Sequence, residues 1–104
     1  MFRVFRSEWY DKKFDNLTKA ERDRVNNFEQ KLKEEPYSGK PLGYKFFREK
    51  KFNGKRLLFL VYEDLQAVFL VTITDKRIQQ NVIDLIKGSL DKYKEVIEKL
   101  TKSN

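Results

Sequence analysis

The sequence contains no cysteine and no histidine, and only two prolines and four glycines among its 104 residues. Without cysteine there is no disulfide. Small secreted domains commonly depend on them, so the composition suits a reducing cytosol. Without histidine the chain lacks the side chain that titrates nearest neutrality and the commonest metal ligand, and Ser-His and Cys-His catalysis are excluded. No apolar run approaches the roughly 20 residues of a membrane-spanning helix. The opening Met1-Phe2-Arg3-Val4-Phe5-Arg6 lacks the uninterrupted apolar region of a secretory signal. There is no P-loop, no GxGxxG and no metal-ligand spacing. These absences predict a cytoplasmic protein with no membrane association, no metal and no cofactor.

What is present is aromatic and basic. Nine Phe, five Tyr and Trp9 accompany an apolar fraction of 39%, enough large side chains to fill one core. At this length residues 1–104 form a single domain. Trp9 and the phenylalanines are assigned to that core, with one proviso: exposure of Tyr44, Phe46 or Phe47 beside a basic strand would make a stacking surface for bases. The 23 Lys+Arg against 16 Asp+Glu leave a net charge of +7, which favours nucleic acid or an acidic protein as partner. The acidic residues lie largely beside lysines, as in Glu29-Gln30-Lys31 and Lys94-Glu95, and read as surface charge.

The pattern along the chain predicts an α+β fold: an N-terminal strand, a helical hairpin, a three-stranded antiparallel meander and a C-terminal helix. Phe2 to Arg6 reads as a strand, with Phe2, Val4 and Arg6 on one side. Ser7 is placed to cap a first helix carrying Trp9, Tyr10, Phe14 and Leu17. Thr18-Lys19-Ala20-Glu21 is a capping-box pattern opening a second, which carries Val25, Phe28 and Leu32 and stops at Glu35-Pro36. Residues 36–43 read as a loop. Strands follow at about Lys45 to Phe52, Arg56 to Tyr62 and Ala67 to Ile73, and the continuous apolar runs of the last two predict a sheet covered on both faces. Residues 78–101 read as helix, with Gly88-Ser89 either a kink or an end.

Asn53-Gly54 is a strong two-residue hairpin signal and permits a register: Phe52 opposite Lys55, Lys51 opposite Arg56. Like charges directly opposite one another repel. A phosphate, a partner's carboxylate or Glu49 would relieve them. A two-residue turn at Asp64-Leu65 would set Arg56 opposite Ile73, with Asp75-Lys76-Arg77 at the same end of the sheet. Taken singly these are solvated charges at a hairpin end. Taken together, Lys51, Arg56, Lys76 and Arg77 converge into one basic patch.

The order of elements, together with several short motifs, resembles the RelE/ParE toxin superfamily. Lys33-Glu34-Glu35-Pro36-Tyr37 ends a helix near a proline, and Leu42-Gly43 leads into a basic strand. Lys51-Phe52-Asn53-Gly54-Lys55-Arg56 then passes through a glycine turn to an arginine entering an apolar strand. Asp75-Lys76-Arg77 resembles the basic segment after the family's last strand. The resemblance implies a toxin of a type II toxin–antitoxin system, with a cognate antitoxin as partner. In the RelE branch the target is mRNA on the ribosome, cleaved by lysines and arginines without histidine; in the ParE branch it is DNA gyrase.

Carried over by position, the resemblance makes Lys51, Arg56 and Arg77 the catalytic candidates. Arg48, Lys50, Lys55 and Lys76 are the candidates for binding nucleic acid. Two positions depart from the cleaving branch: Glu49 stands where a basic residue is common, and residues 78–86 contain no tyrosine, with Tyr93 too far along to replace it. A non-catalytic or ParE-like relative, binding antitoxin or gyrase through the basic sheet, is the alternative. A generic basic RNA- or DNA-binding domain is a third.

Overall fold

The computed structural model describes residues 1–102. The N-terminal strand β1 (Arg3–Arg6) leads into a helical pair, α1 (Glu8–Asp15) and α2 (Lys19–Glu34). Four strands follow: β2 (Lys40–Tyr44), β3 (Phe47–Phe52), β4 (Lys55–Tyr62) and β5 (Ala67–Asp75). Helices α3 (Gln79–Lys87) and α4 (Leu90–Lys102) complete the described chain. The strands make one sheet in the order β1-β5-β4-β3-β2, with β1 parallel to β5 and the remaining pairs antiparallel.

Both faces of the sheet are covered, as the apolar runs of β4 and β5 predict. Side chains alternate along a strand, so each strand feeds two cores. Leu57, Phe59 and Val61 meet Val25, Phe28 and Leu32 of α2 on one face. Leu58 and Leu60 meet Val82, Ile83 and Ile86 of α3 and Ile97 of α4 on the other. The helix starts follow from local chemistry. Ser7 Oγ accepts from the Tyr10 amide (2.9 Å), and Thr18 and Glu21 form the full capping box. The Ser7 hydroxyl also donates to the Val71 carbonyl (2.6 Å), fastening the start of α1 to β5.

Two expectations need correction, and one open alternative is settled. The predicted loop at 36–43 contains most of β2, an edge strand; Pro41 is tolerated there because an edge strand leaves one row of amides unpaired. The sheet therefore gains a strand. Of the two alternatives at Gly88-Ser89, the end is the one found: α3 stops there and α4 follows, and the Ser89 hydroxyl donates back to the Leu85 carbonyl (3.0 Å). Lastly, Leu58 pairs with Thr72 but Phe59 with Leu70, so Val71 is an extra residue in β5. That bulge moves Arg56 opposite Thr74 instead of Ile73.

Glu29, read as surface charge, is buried. Its carboxylate accepts from Arg6 Nη2 (2.9 Å), Arg6 Nε (3.1 Å) and the Tyr10 hydroxyl (2.8 Å), joining β1, α1 and α2. Burial, and then the neighbouring Glu29 carboxylate, push the Tyr10 phenol well above its ordinary value.

Candidate functional site

The Asn53-Gly54 turn has positive φ at both residues (45° and 75°), the backbone of a type I′ hairpin. It sets the predicted register, with Lys51 opposite Arg56 and Phe52 opposite Lys55. Because Phe47 points into the α3/α4 core, alternation puts Glu49 and Lys51 on that same face, and Arg56 joins them from β4. Lys51 is exposed, whereas Arg56 is only 9% exposed.

Glu49 is the group that answers the Lys51/Arg56 repulsion. It is 3% exposed, and its Oε1 lies 3.9 Å from Arg56 Nε. That distance is an ion pair but too long for a hydrogen bond. Gln79 Nε2, at the first turn of α3, donates to the same carboxylate oxygen. Arg56 Nη1 reaches the Lys55 carbonyl (3.3 Å), while Arg56 Nε is buried without a hydrogen-bond partner among the described residues. A buried N–H left unpaired costs about 1–3 kcal/mol, which the Coulomb attraction of Glu49 partly offsets. Thr74, directly opposite Arg56, and Lys40, directly opposite Glu49, border the cluster on either side.

The edge beyond β2 opens beside Lys40, Glu49 and Lys51 as a depression of about 280 Å³. Gly39 makes this approach possible. Its φ is +81°, and a Cβ there would lie 2.2 Å from the Glu49 carbonyl oxygen.

The remaining candidates do not join this cluster. Arg48, Lys50 and Lys55 project to the opposite face, where each already has a partner. Arg48 holds the loop before β2 and the turn after it, donating to the carbonyls of Ser38 (3.0 Å), Gly39 (3.0 Å) and Lys45 (2.9 Å). The Lys50 ammonium lies 5.4 Å from the centre of the Phe28 ring. Lys55 donates to Glu21 Oε2 (2.7 Å), which also accepts from Asn53 Nδ2 (2.6 Å). The Lys55 ammonium, the Thr18 amide and the Asn53 amide together hold the Glu21 carboxyl down at about 2. That network ties the hairpin turn to the start of α2.

Lys76 and Arg77 follow β5 at the sheet end that carries Arg56, since Asp75 is paired with Lys55. Both are exposed. The Arg77 guanidinium stands 3.6 Å from Asp75 with its side chain 90% exposed. Burial would raise the Asp75 carboxyl, but the amides of Arg77 and Ile78 and the Arg77 charge bring it below its ordinary value. Arg77 thus shares the cluster's end of the sheet and is paired locally.

Sequence reasoning weighed Glu49 as a possible partner but missed its burial, and it missed Gln79, Thr74 and Lys40. Lys40 was hidden by the loop reading of β2, and Thr74 by the bulge. Nothing in the local sequence marks Gln79, which reaches Glu49 across 30 positions.

No family model matches the chain, and no curated protein matches it. Solved structures do. The intact E. coli RelBE toxin–antitoxin complex is similar at 19% identity and a TM-score of 0.66, over 72% of this chain and 96% of that one. The isolated E. coli RelE toxin is similar at 17% identity and 0.64, over 83% and 99%. The archaeal RelE–RelB complex of Pyrococcus horikoshii is similar at 18% and 0.63, over 72% and 94%. Overlap that spans nearly all of each relative and 72–83% of this chain, at low identity, establishes architecture: the chain has the fold of the RelE toxins.

Proposed function

We propose that this protein is the toxin of a type II toxin–antitoxin pair and acts in the RelE manner, as a ribosome-dependent endoribonuclease. One observation carries the reading. On a RelE-like fold, Lys51 and a nearly buried Arg56 stand side by side at one end of the sheet, and Arg56 keeps one N–H unpaired. Two structural relatives are RelE chains described in complex with a RelB antitoxin, which supports a cognate antitoxin as partner here as well.

The chemistry suits a chain without histidine. The 2′-oxygen of a nucleotide attacks the adjacent phosphorus, the 2′-proton leaves to solvent, and the P–O5′ bond breaks as the 5′-oxygen takes up a proton. Negative charge gathers on the phosphate oxygens in between. Lys51 and Arg56 would hold those oxygens, and Arg77 or Lys76 would face the departing oxygen. Preorganised cations and N–H donors of this kind are each worth about 10²–10³ in rate.

A second reading is favoured by Glu49. A buried carboxylate 3.9 Å from Arg56 already neutralises much of its charge. In that reading the pair is structural, and the protein is a binding relative that engages antitoxin or gyrase. Translation reactions with purified protein, mRNA and ribosomes, with cut sites mapped by primer extension, separate the two. The first reading gives cuts at A-site codons. Intact mRNA from folded, antitoxin-free protein on a compatible ribosome contradicts it and supports the second.

A further inference from the structure

Tyr44 is the one exposed aromatic side chain of the described residues, at 44%, while every other ring is buried or partly buried. It is not a loose side chain. Phe46 stacks on it with ring centres 4.9 Å apart and planes 22° apart, so the ring is held before any ligand arrives. Lys87 of α3 places its ammonium 5.7 Å from the centre of the Tyr44 ring. That ammonium lies where a Cβ on Gly43 would intrude, 2.8 Å away, and Gly43 has a φ of +89° in the irregular part of β2.

The position matters as much as the ring. Tyr44 pairs with Phe47, so it lies on the α3/α4 face with Glu49 and Lys51. From Phe47 to Lys51 is four residues of β3, or about 13 Å at about 3.3 Å per residue. Lys40 lies between, opposite Glu49. Neither Lys40 nor Lys51 makes an ion pair among the described residues. A flat hydrophobic ring at one end, a phosphate-sized cation cluster at the other and an unpaired lysine between them match a single nucleic-acid strand. The separation spans about four stacked nucleotides at about 3.4 Å each, and fewer when the strand is extended.

We infer that Tyr44 is a stacking platform for an unpaired base of the RNA strand whose phosphate Lys51 and Arg56 hold, with Lys87 taking a neighbouring phosphate. The inference rests on the proposed function for the identity of its ligand. It adds a second anchor point, and it makes β2 the path of the strand between the two.

The test is binding of a short, uncleavable 2′-O-methyl RNA to the intact protein, followed by fluorescence anisotropy, for the wild type, Tyr44→Phe, Tyr44→Ala and Arg56→Ala, each checked for native circular dichroism. Tyr44→Ala should weaken binding roughly tenfold, as expected for a lost base stack, and Tyr44→Phe by less than about twofold. On an RNA of the same length with abasic spacers, the Tyr44→Ala penalty should vanish. Unchanged binding by Tyr44→Ala while Arg56→Ala weakens it overturns the stacking role and leaves the phosphate site standing. An equal Tyr44→Ala loss on abasic RNA also overturns it, and points to a protein-facing or structural ring. No binding by the wild type overturns it too, while the ribosome assay judges the proposed function separately.

Discussion

Strands β2, β3 and β4 present three cations on each face of the sheet and use them differently. Toward α1 and α2, Arg48, Lys50 and Lys55 are all engaged: with three backbone carbonyls, the Phe28 ring and the Glu21 carboxylate. Toward α3 and α4, Lys51 and Lys40 are unpaired among the described residues, and Arg56 is only partly satisfied. The alternation of one strand thus divides its cations into a structural set and an available set. Net charge signals an anionic partner, but which lysines and arginines can meet it depends on which have no partner inside the protein.

The comparison is broken most forcefully at Arg48. Arg48→Ala removes three hydrogen bonds from a charged donor that is 9% exposed, and should destabilise the fold by about 2–3 kcal/mol. Urea unfolding would show it as a lower midpoint, while RNA cleavage per folded molecule stays at the wild-type level. Cleavage lost with stability intact would move Arg48 into the available set.

A smaller effect sharpens the other face. Glu49→Gln removes the negative charge beside Arg56 while keeping a side chain of the same shape. RNA affinity should rise several-fold, and the dependence of log K on log salt should steepen by up to about one. Unchanged affinity would mean that Arg56 meets no phosphate.

The smallest effect concerns acid. Glu21 is held at about 2 against an ordinary 4.5, so its contribution to stability is complete above pH 4.5 and is lost as pH falls toward 2. Glu21→Gln should flatten that part of the stability–pH curve, as followed by thermal unfolding across the same window. An unaltered curve would remove Glu21 from the structural set.

The elements most legible from the sequence are those with a local cause. Asn53-Gly54 dictates its hairpin because both residues accept positive φ, and Thr18 with Glu21 announces the start of α2 through a reciprocal pair of hydrogen bonds. The pairing of Lys51 with Arg56 followed from that turn alone. What was illegible has non-local causes. Lys40-Pro41-Leu42-Gly43-Tyr44 has loop composition and becomes a strand only because β3 lies beside it. The Val71 bulge carries no signature of its own; Ser7, 64 positions away, holds its carbonyl. Glu29 reads as solvent charge, and the burial of Glu49 goes unseen, because the groups that make burial tolerable, Arg6 and Tyr10 for one and Gln79 and Arg56 for the other, are remote or on another strand. Arg48, Lys50 and Lys55 neighbour Lys51 and Arg56 in sequence, but the pleat sends them the other way.

The division between the two faces is tested most directly by one paired measurement: ribosome-dependent mRNA cleavage and thermal stability for Arg56→Ala and Lys55→Ala in parallel. The account predicts that Arg56→Ala loses cleavage per folded molecule by about a hundredfold or more, in addition to melting earlier because the buried Glu49 carboxylate loses its cation. Lys55→Ala should melt earlier and cleave normally while folded. Normal cleavage by Arg56→Ala, or a selective loss of cleavage in Lys55→Ala, would contradict it.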